Sequence, residues 1–305
     1  MRKLLLKLIV FLSFLFFLFE LLIRSLNLTN DVPSRTIDNN GLQSFIPNQK
    51  GVYNNNEWIV NNQGFLGQEL KQNGQVKVLI IGDSMIENIM NDQTCHLDVL
   101  LGNIFKNKID FFEIGRSGIT LIESLEFDRK FKNILNPAYS IILVNNNDVE
   151  ESISNINRYS DRLQLDINTS NLDSVEIKYE KLKYLLYNIK SLYYLYMKGF
   201  FSSGNLFEKP YKFEQSRTVK NESNIYIFFE IIKTRYKLDN TIFLIDNNQK
   251  KYIDHFKKIK ANLILFSAKN EWLNRNDSHW NCIGNNEISN VISKHLKQLP
   301  DLSSH

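Results

Sequence analysis

Gly82-Asp83-Ser84 stands where an apolar stretch of the chain ends. Residues 76–81 are rich in Val, Leu and Ile without clean alternation, the pattern of a strand buried on both faces. A polar stretch compatible with a helix follows, which places Ser84 on the first helical turn. Unpaired backbone N–H groups there favour a developing negative charge. Ser84 is therefore a candidate nucleophile, although the same tripeptide also forms ordinary turns and N-caps.

Asp277 and His279 form a second candidate pair, in a loop before a helix predicted at residues 287–296. An imidazole in this setting can take the proton of a serine, while a carboxylate orients the ring and stabilises its charged form. An isolated Asp-x-His also arises by chance, and a single histidine is more often a surface residue. The pair can act as a base and its orienting acid only if the fold brings it close to Ser84.

Further strands are predicted at residues 109–114, 139–144, 241–246 and 261–266, and helices at 98–105, 119–132, 225–236 and 252–259. This alternation is typical of an α/β fold with an open parallel sheet. Such sheets bind ligands at the carboxyl ends of their strands, which is where Ser84, Gly115 and Asn147 fall. We expect these three residues to share one edge of the sheet.

Residues 4–23 are almost entirely Leu, Ile, Val and Phe, enough to cross a bilayer as a helix. Arg2, Lys3 and Lys7 favour a cytoplasmic N-terminus. Because residues 24–27 offer no convincing cleavage site, an uncleaved anchor is favoured over a signal peptide. Either alternative places the rest of the chain outside the cytoplasm.

The predicted organisation is an anchor at residues 1–26, a linker or irregular cap at 27–56 and one α/β domain at 57–300. A helical insertion spans about residues 150–240. Within it, residues 175–197 predict one amphipathic helix whose apolar stripe, including Leu182 and Leu185, packs into the core. A loop is predicted at residues 199–217.

Composition narrows the class of protein. The chain has 305 residues and a net charge of +4 without a long basic block, so nucleic-acid binding has little support. Cys95 and Cys282 are too few for a disulfide scaffold or a cysteine-based metal site. Two small buried hydrophobic residues are favoured here over a disulfide, which an oxidising compartment would permit.

The chain resembles the SGNH hydrolase, or GDSL-type esterase, superfamily over about residues 58–295, through four short blocks in the family's order. The resemblance implies a three-layer α/β/α sandwich with a roughly five-stranded parallel, flavodoxin-like sheet after an N-terminal transmembrane helix. Ser84 is similar to the family's nucleophile, and His279 and Asp277 are similar to its base and acid. The backbone N–H groups of Ser84 and Gly115 and the side chain of Asn147 match its oxyanion hole.

The chain departs from the family's pattern in two blocks. Glu113 stands where many relatives have Asn, and Arg116 follows the glycine of the second block. The short Asp-x-His-Trp block is similar to that of alginate O-acetyltransferase-like relatives, which leaves hydrolysis and acyl transfer both open. Trp280 is expected to pack on the last helix, with a wall of the acyl pocket as the alternative. The α/β-hydrolase family is disfavoured because no Gly-x-Ser-x-Gly surrounds Ser84.

Three functions follow from these observations. The first is an exported, membrane-tethered serine esterase that removes acyl, in particular acetyl, groups from a cell-surface glycan. The second is a polysaccharide O-acetyltransferase with the same triad, supplied by a membrane protein that delivers the acyl donor. The third is a non-catalytic protein that binds a glycan or assists envelope assembly. None of the three calls for a metal ion or an organic cofactor, and the expected partners are an acylated glycan and the membrane.

Overall fold

The computed structural model describes residues 2–71, 75–145, 147–200, 218–274 and 278–302. The helices are α1 (Arg2–Ser25), α2 (Ser84–Glu87), α3 (Leu97–Ile104), α4 (Leu121–Leu135), α5 (Asp148–Glu151), α6 (Glu180–Asn188), α7 (Lys190–Met197), α8 (Thr218–Arg235), α9 (Ile253–Lys258) and α10 (Cys282–Leu296). The strands are β1 (Arg35–Ile37), β2 (Gln43–Phe45), β3 (Lys50–Tyr53), β4 (Asn56–Ile59), β5 (Val76–Gly82), β6 (Ile109–Gly115), β7 (Tyr139–Val144), β8 (Leu165–Asp166), β9 (Asn171–Leu172), β10 (Thr241–Asp246) and β11 (Asn262–Phe266).

A five-stranded parallel sheet forms the centre of the molecule, in the order β11-β10-β7-β5-β6. All five strands were predicted, and β7 and β10 have the predicted bounds. The order reverses between β5 and β7, which makes the carboxyl end of β5 a topological switch point where α/β sheets bind ligands. At that end Gly82 of β5 pairs with Gly115 of β6.

Helices cover both faces of the sheet, which confirms the predicted three-layer arrangement. On one face, alternate strand residues such as Leu79 and Phe243 pack with apolar residues of α4, α8 and α9. On the other face, Val78 and Leu244 pack with α3 and α10. Burial of both faces explains why the strands lack an alternating polar pattern.

Two short hairpins lie at residues 35–45 and 50–59, so the second one crosses the boundary between the linker or cap predicted at 27–56 and the predicted domain. Strands β1 and β2 pair antiparallel, as do β3 and β4. Their apolar side chains join a small third core that contains Phe45, Trp58 and Met90. Residues 27–56 therefore pack on the domain through this shared core and through Leu42, which belongs to the main core of the sheet.

The prediction of a single helix over residues 175–197 is wrong. The chain leaves the helical conformation at Ile189 (φ −96°, ψ 97°), and this break separates α6 from α7. The predicted apolar stripe does not reach the core as a unit. Leu186 is buried, but Leu182 and Leu185 are 47% and 49% exposed. Most of the loop predicted at residues 199–217 lies outside the described residues.

The two cysteines do not behave as separate buried hydrophobic residues. Cys95 and Cys282 form a disulfide across 187 residues of sequence, with their Cα atoms 5.1 Å apart. Sequence alone favoured the other alternative because two distant cysteines give no sign of their separation in space. The fold brings them together where α10 begins beside the segment that precedes α3.

Candidate active site

Ser84 lies at the sharp transition from β5 to α2, as the sequence predicts. Asp83 caps the helix, because its Oδ1 accepts a hydrogen bond from the Met85 N–H at 3.0 Å. A Cβ atom on Gly82 would lie 2.5 Å from Cγ1 of Ile86, so glycine is required where the chain turns. This local geometry holds the serine half-buried at the edge of the sheet.

The imidazole of His279 reaches this serine. Its Nε2 lies 2.7 Å from Oγ of Ser84, within the hydrogen-bond distance that a general base needs. The two residues are 195 positions apart in sequence. The arrangement can therefore remove the serine proton as the hydroxyl attacks an electrophile.

Trp280 fixes the backbone beside the imidazole. Its N–H donates to Sδ of Met85 at 3.4 Å, and its carbonyl accepts from Nδ2 of Asn91 at 2.7 Å. The indole is 3% exposed and packs edge-on against Phe266 at 5.8 Å. The tryptophan thus packs in the core, as expected, and positions its neighbour His279.

Three buried asparagines, which the sequence analysis did not single out, also hold the backbone beside His279 in place. The side chain of Asn91 also donates to Oδ1 of Asn88, at 2.6 Å, and Nδ2 of Asn285 lies 3.3 Å from the same oxygen. The three amides join the end of α2 to α10. Asparagine is abundant in this chain, so its composition gave no signal for these positions.

Asp277, the predicted partner of His279, lies outside the described residues. Its role in orienting the imidazole stays a prediction. The described chain resumes at Ser278, and the disulfide of Cys282 ties this segment to Cys95.

Gly115 lies directly against α2, the helix that begins at Ser84. A Cβ atom at this position would approach the backbone nitrogen of Glu87 to 2.3 Å, closer than a real contact permits. The next turn is held by the N–H of Ser117, which donates to the Glu87 carboxylate. Glycine at position 115 therefore lets the end of β6 approach α2 closely, while the role of its N–H in an oxyanion hole stays a prediction.

Asn145 and Asn147, which follow strand β7, have different surroundings. Asn147, the predicted oxyanion donor, is exposed at the start of α5 and its side chain does not cap that helix. Asn145 was not singled out from the sequence, yet its Nδ2 donates to Oδ2 of Asp83. Its backbone N–H donates to Oδ2 of Asp148 at 2.7 Å. Its position directly after β7 was the signal that could have identified it.

Two buried carboxyl groups lie close to this arrangement. Burial raises the pKa of Asp83, against hydrogen bonds from Met85 and Asn145 and the charge of His279. Burial also raises the pKa of Asp148 well above its ordinary value, and the nearby charge of Asp83 adds to the effect. Burial is thus the main cause of both raised pKa values.

The two departures from the family pattern are both paired in the core. The guanidinium of Arg116, 1% exposed, contacts the Glu123 carboxylate. Glu113 accepts from Nδ1 of His96 at 2.9 Å and from the Asp98 N–H at 3.2 Å. Each residue thus has a buried polar partner in this structure.

His96, Asp98 and Glu113 also lie close enough together to share a metal ion. The observed contacts argue for a hydrogen-bonded network instead. Both oxygens of Asp98 accept backbone N–H groups, from Gln68 at 2.8 Å and Val99 at 2.7 Å. Together with the direct His96–Glu113 contact, these bonds join the three buried side chains to one another and to the backbone.

No protein-family profile and no curated protein matches the sequence. Among solved structures, the chain is similar to a lipase/acylhydrolase from Enterococcus faecalis (11% identity, TM-score 0.40, covering 73% of this chain and 96% of that one). It is also similar to the psychrotrophic esterase EstA from Pseudoalteromonas sp., with 14% identity and a TM-score of 0.38. This match covers 73% of this chain and 97% of that one. A third similar structure is a GDSL-like lipase from Bacteroides thetaiotaomicron, with 13% identity and a TM-score of 0.33. This match covers 72% of this chain and 86% of that one. Because these identities and TM-scores are low, the function is inferred from the geometry of the site itself.

Proposed function

We propose that this chain is a membrane-anchored serine esterase that acts on acyl esters through Ser84 and His279. The observation that carries the proposal is the 2.7 Å contact between Oγ of Ser84 and Nε2 of His279 at the carboxyl edge of the sheet. A serine at the start of a helix, with a base in reach, is the arrangement of an activated nucleophile.

The reaction proceeds in two steps. In the first, His279 takes the hydroxyl proton of Ser84 as Oγ attacks the ester carbonyl, and the protonated imidazole then gives that proton to the departing alcohol. In the second, His279 deprotonates a water molecule that attacks the acyl-serine, which releases the acid and restores the hydroxyl. The N–H groups of Ser84 and Gly115 and the amide of Asn147 hold the oxyanion, and Asp277 orients the imidazole.

Two features support an exported, tethered enzyme. Within the described residues, α1 is the helix long and apolar enough to cross a membrane. The Cys95–Cys282 disulfide suits an oxidising compartment outside the cytoplasm. With Arg2, Lys3 and Lys7 inside, the catalytic domain faces the cell exterior, where acetylated cell-surface glycans are the substrate class that we propose.

Acyl transfer is the second candidate function, and the short Asp-x-His-Trp block favours it. In that case a sugar hydroxyl replaces water in the second step, and a membrane protein delivers the acyl donor. The nucleophile, base and first step are the same.

The test uses the full chain in lipid nanodiscs, a fluorophosphonate probe and an acetyl-ester substrate. We expect covalent labelling of Ser84 and release of acetate, both absent in Ser84→Ala. Added oligosaccharide that becomes acetylated at the expense of acetate release would establish transfer. Wild-type protein that neither labels nor turns over would leave a non-catalytic glycan-binding or envelope-assembly role.

A further inference from the structure

Helix α1 does not end in a free tether, because the carboxylate of Glu20 caps the N-terminus of α7. Its Oε1 accepts from the Lys190 N–H at 3.0 Å and its Oε2 from the Ser191 N–H at 2.7 Å. Arg24 pairs with the same carboxylate at 2.7 Å and donates to the Asn188 carbonyl at 2.6 Å. These contacts lie in the last two turns of α1 and fix the hairpin of α6 and α7 to it.

The contact continues into the apolar part of α1. The ring of Phe19 packs edge-on against Tyr194 of α7, with centroids 6.2 Å apart. The apolar stretch ends at Ile23, and a helix rises about 1.5 Å per residue, so Phe19 lies about 6 Å inside the hydrocarbon region if α1 spans a bilayer. Helix α7 then lies at the boundary between headgroups and acyl chains.

The hairpin exposes apolar side chains from both of its helices. On α6 and just before it, Tyr179, Leu182 and Leu185 recur every three residues and are 56%, 47% and 49% exposed. After the hairpin turn, Met197 and Phe200 are 64% and 73% exposed. Single exposed apolar residues are ordinary, but a group of this kind beside a candidate membrane helix indicates an interaction surface.

Basic side chains accompany this apolar surface. Lys181 and Lys183 of α6 alternate with its apolar residues, and Lys198 follows Met197. The ammonium of Lys198 lies 5.6 Å from the ring centre of Tyr194. Lysines at a membrane interface extend their charge toward the headgroups while their methylene groups remain in apolar surroundings.

From these contacts we propose that the hairpin formed by residues 179–200 lies in the lipid interface beside α1, with Leu182, Leu185, Met197 and Phe200 in the acyl-chain boundary. The partner is the bilayer leaflet on the side of the catalytic domain. This inference rests on the proposed membrane anchoring of α1 and extends it, because the domain is then seated on the membrane. The site accordingly acts on esters held close to the membrane surface.

The test measures depth with nitroxide labels on single introduced cysteines in the full chain, reconstituted in phosphatidylcholine–phosphatidylglycerol nanodiscs. The native cysteines are paired and do not react without reductant. Leu185→Cys and Met197→Cys report on the hairpin. Phe11→Cys in the middle of α1 is the lipid reference, and Ile134→Cys on α4, an apolar residue 62% exposed, is the matched aqueous reference.

We expect oxygen to relax the labels at 185 and 197 more effectively than a water-soluble nickel complex does. Their depth should fall about 5–10 Å below the headgroups, between the two references. If the labels at 185 and 197 show the same relaxation as the label at 134, while the label at 11 shows relaxation typical of lipid, the hairpin does not lie in the interface. The proposed anchor would then remain. A Phe11 label that also reads as aqueous would refute the anchor itself, and with it this inference.

Discussion

Cys282 follows His279 in the same segment of the chain, and its disulfide joins that segment to Cys95, beyond the helix that carries Ser84. The bond thus links the part of the chain that contains His279, the proposed base, to the part that follows Ser84, the proposed nucleophile. The asparagine network of Asn88 and Asn91 crosses the same junction. The contact between Ser84 and His279 is therefore supported by a covalent bond and by hydrogen bonds together.

Replacing both cysteines by alanine should lower the free energy of unfolding by about 2–5 kcal/mol, because the open chain of the unfolded state regains the entropy of a long loop. Urea denaturation measured with and without dithiothreitol checks this. The wild type should lose stability on reduction, and the double variant should not respond. Equal midpoints for oxidised and reduced wild type would contradict a stabilising bond.

His279→Ala should lower ester turnover by about 10²–10⁴-fold, since the general base is lost. The Ser84→Ala/His279→Ala double variant should be little worse than Ser84→Ala, because the two residues act as a unit. Steady-state kinetics on an acetyl ester, with circular dichroism as a control for folding, measures this. Losses that multiply would show that the residues act independently.

Gly115→Ala should destabilise the fold by about 1–3 kcal/mol and disturb the nucleophile helix, because its Cβ meets backbone that cannot move aside. Gly102→Ala is the matched control. A Cβ there meets only the side-chain oxygen of Asn107, at 3.2 Å, and α3 gains a better helix former. Thermal melts and probe labelling compare the two, and a tolerated Gly115→Ala would remove the steric argument.

Asn147→Ala should reduce kcat by about 10²–10³-fold with little change in KM, as expected for an oxyanion donor. Asn145→Ala is the comparison, because this amide binds Asp83 and its loss should affect stability as well. A defect of Asn147→Ala confined to KM would make it a substrate-binding residue.

The buried His96–Asp98–Glu113 network predicts that stability falls as pH rises. Burial and the charge of Glu113 raise the pKa of Asp98 to about 7, against about 3.9 in the unfolded chain, so its ionisation destabilises the fold between about pH 4 and 7. The pKa of His96 is raised by Glu113, Asp98 and Asp92 against the effect of burial. The stability contributed by its charged form is complete below about pH 6.5 and is lost as pH rises through the higher folded value.

Urea denaturation at pH 5 and pH 8 tests this network. Asp98→Asn should show a smaller loss of stability than wild type between the two values, because the amide does not ionise. Asp254→Asn, at a side chain 83% exposed, is the control and should behave as wild type. An unchanged pH dependence in Asp98→Asn would contradict the raised pKa.

The sheet and the position of Ser84 could be predicted because buried parallel strands leave a strong local pattern, as residues 139–144 and 241–246 show. The contact of His279 with Ser84 was expected from motif order, since loops at one edge of a sheet meet in space. The disulfide and the contact between Asn145 and Asp83 join residues far apart in sequence, and composition carries no sign of them. The break at Ile189 was missed because the apolar period continues through it, while the capping of α7 by Glu20 depends on α1.

The sequence separation of 187 between Cys95 and Cys282 also sets an order of events during export. On the proposed topology, Ser84 leaves the translocation channel long before His279 does. The nucleophile then has no base during passage, and oxidation can close the site only once Cys282 has followed. If the proposed function and topology hold, the Ser84–His279 contact can therefore form only after this late segment has reached the far side of the membrane.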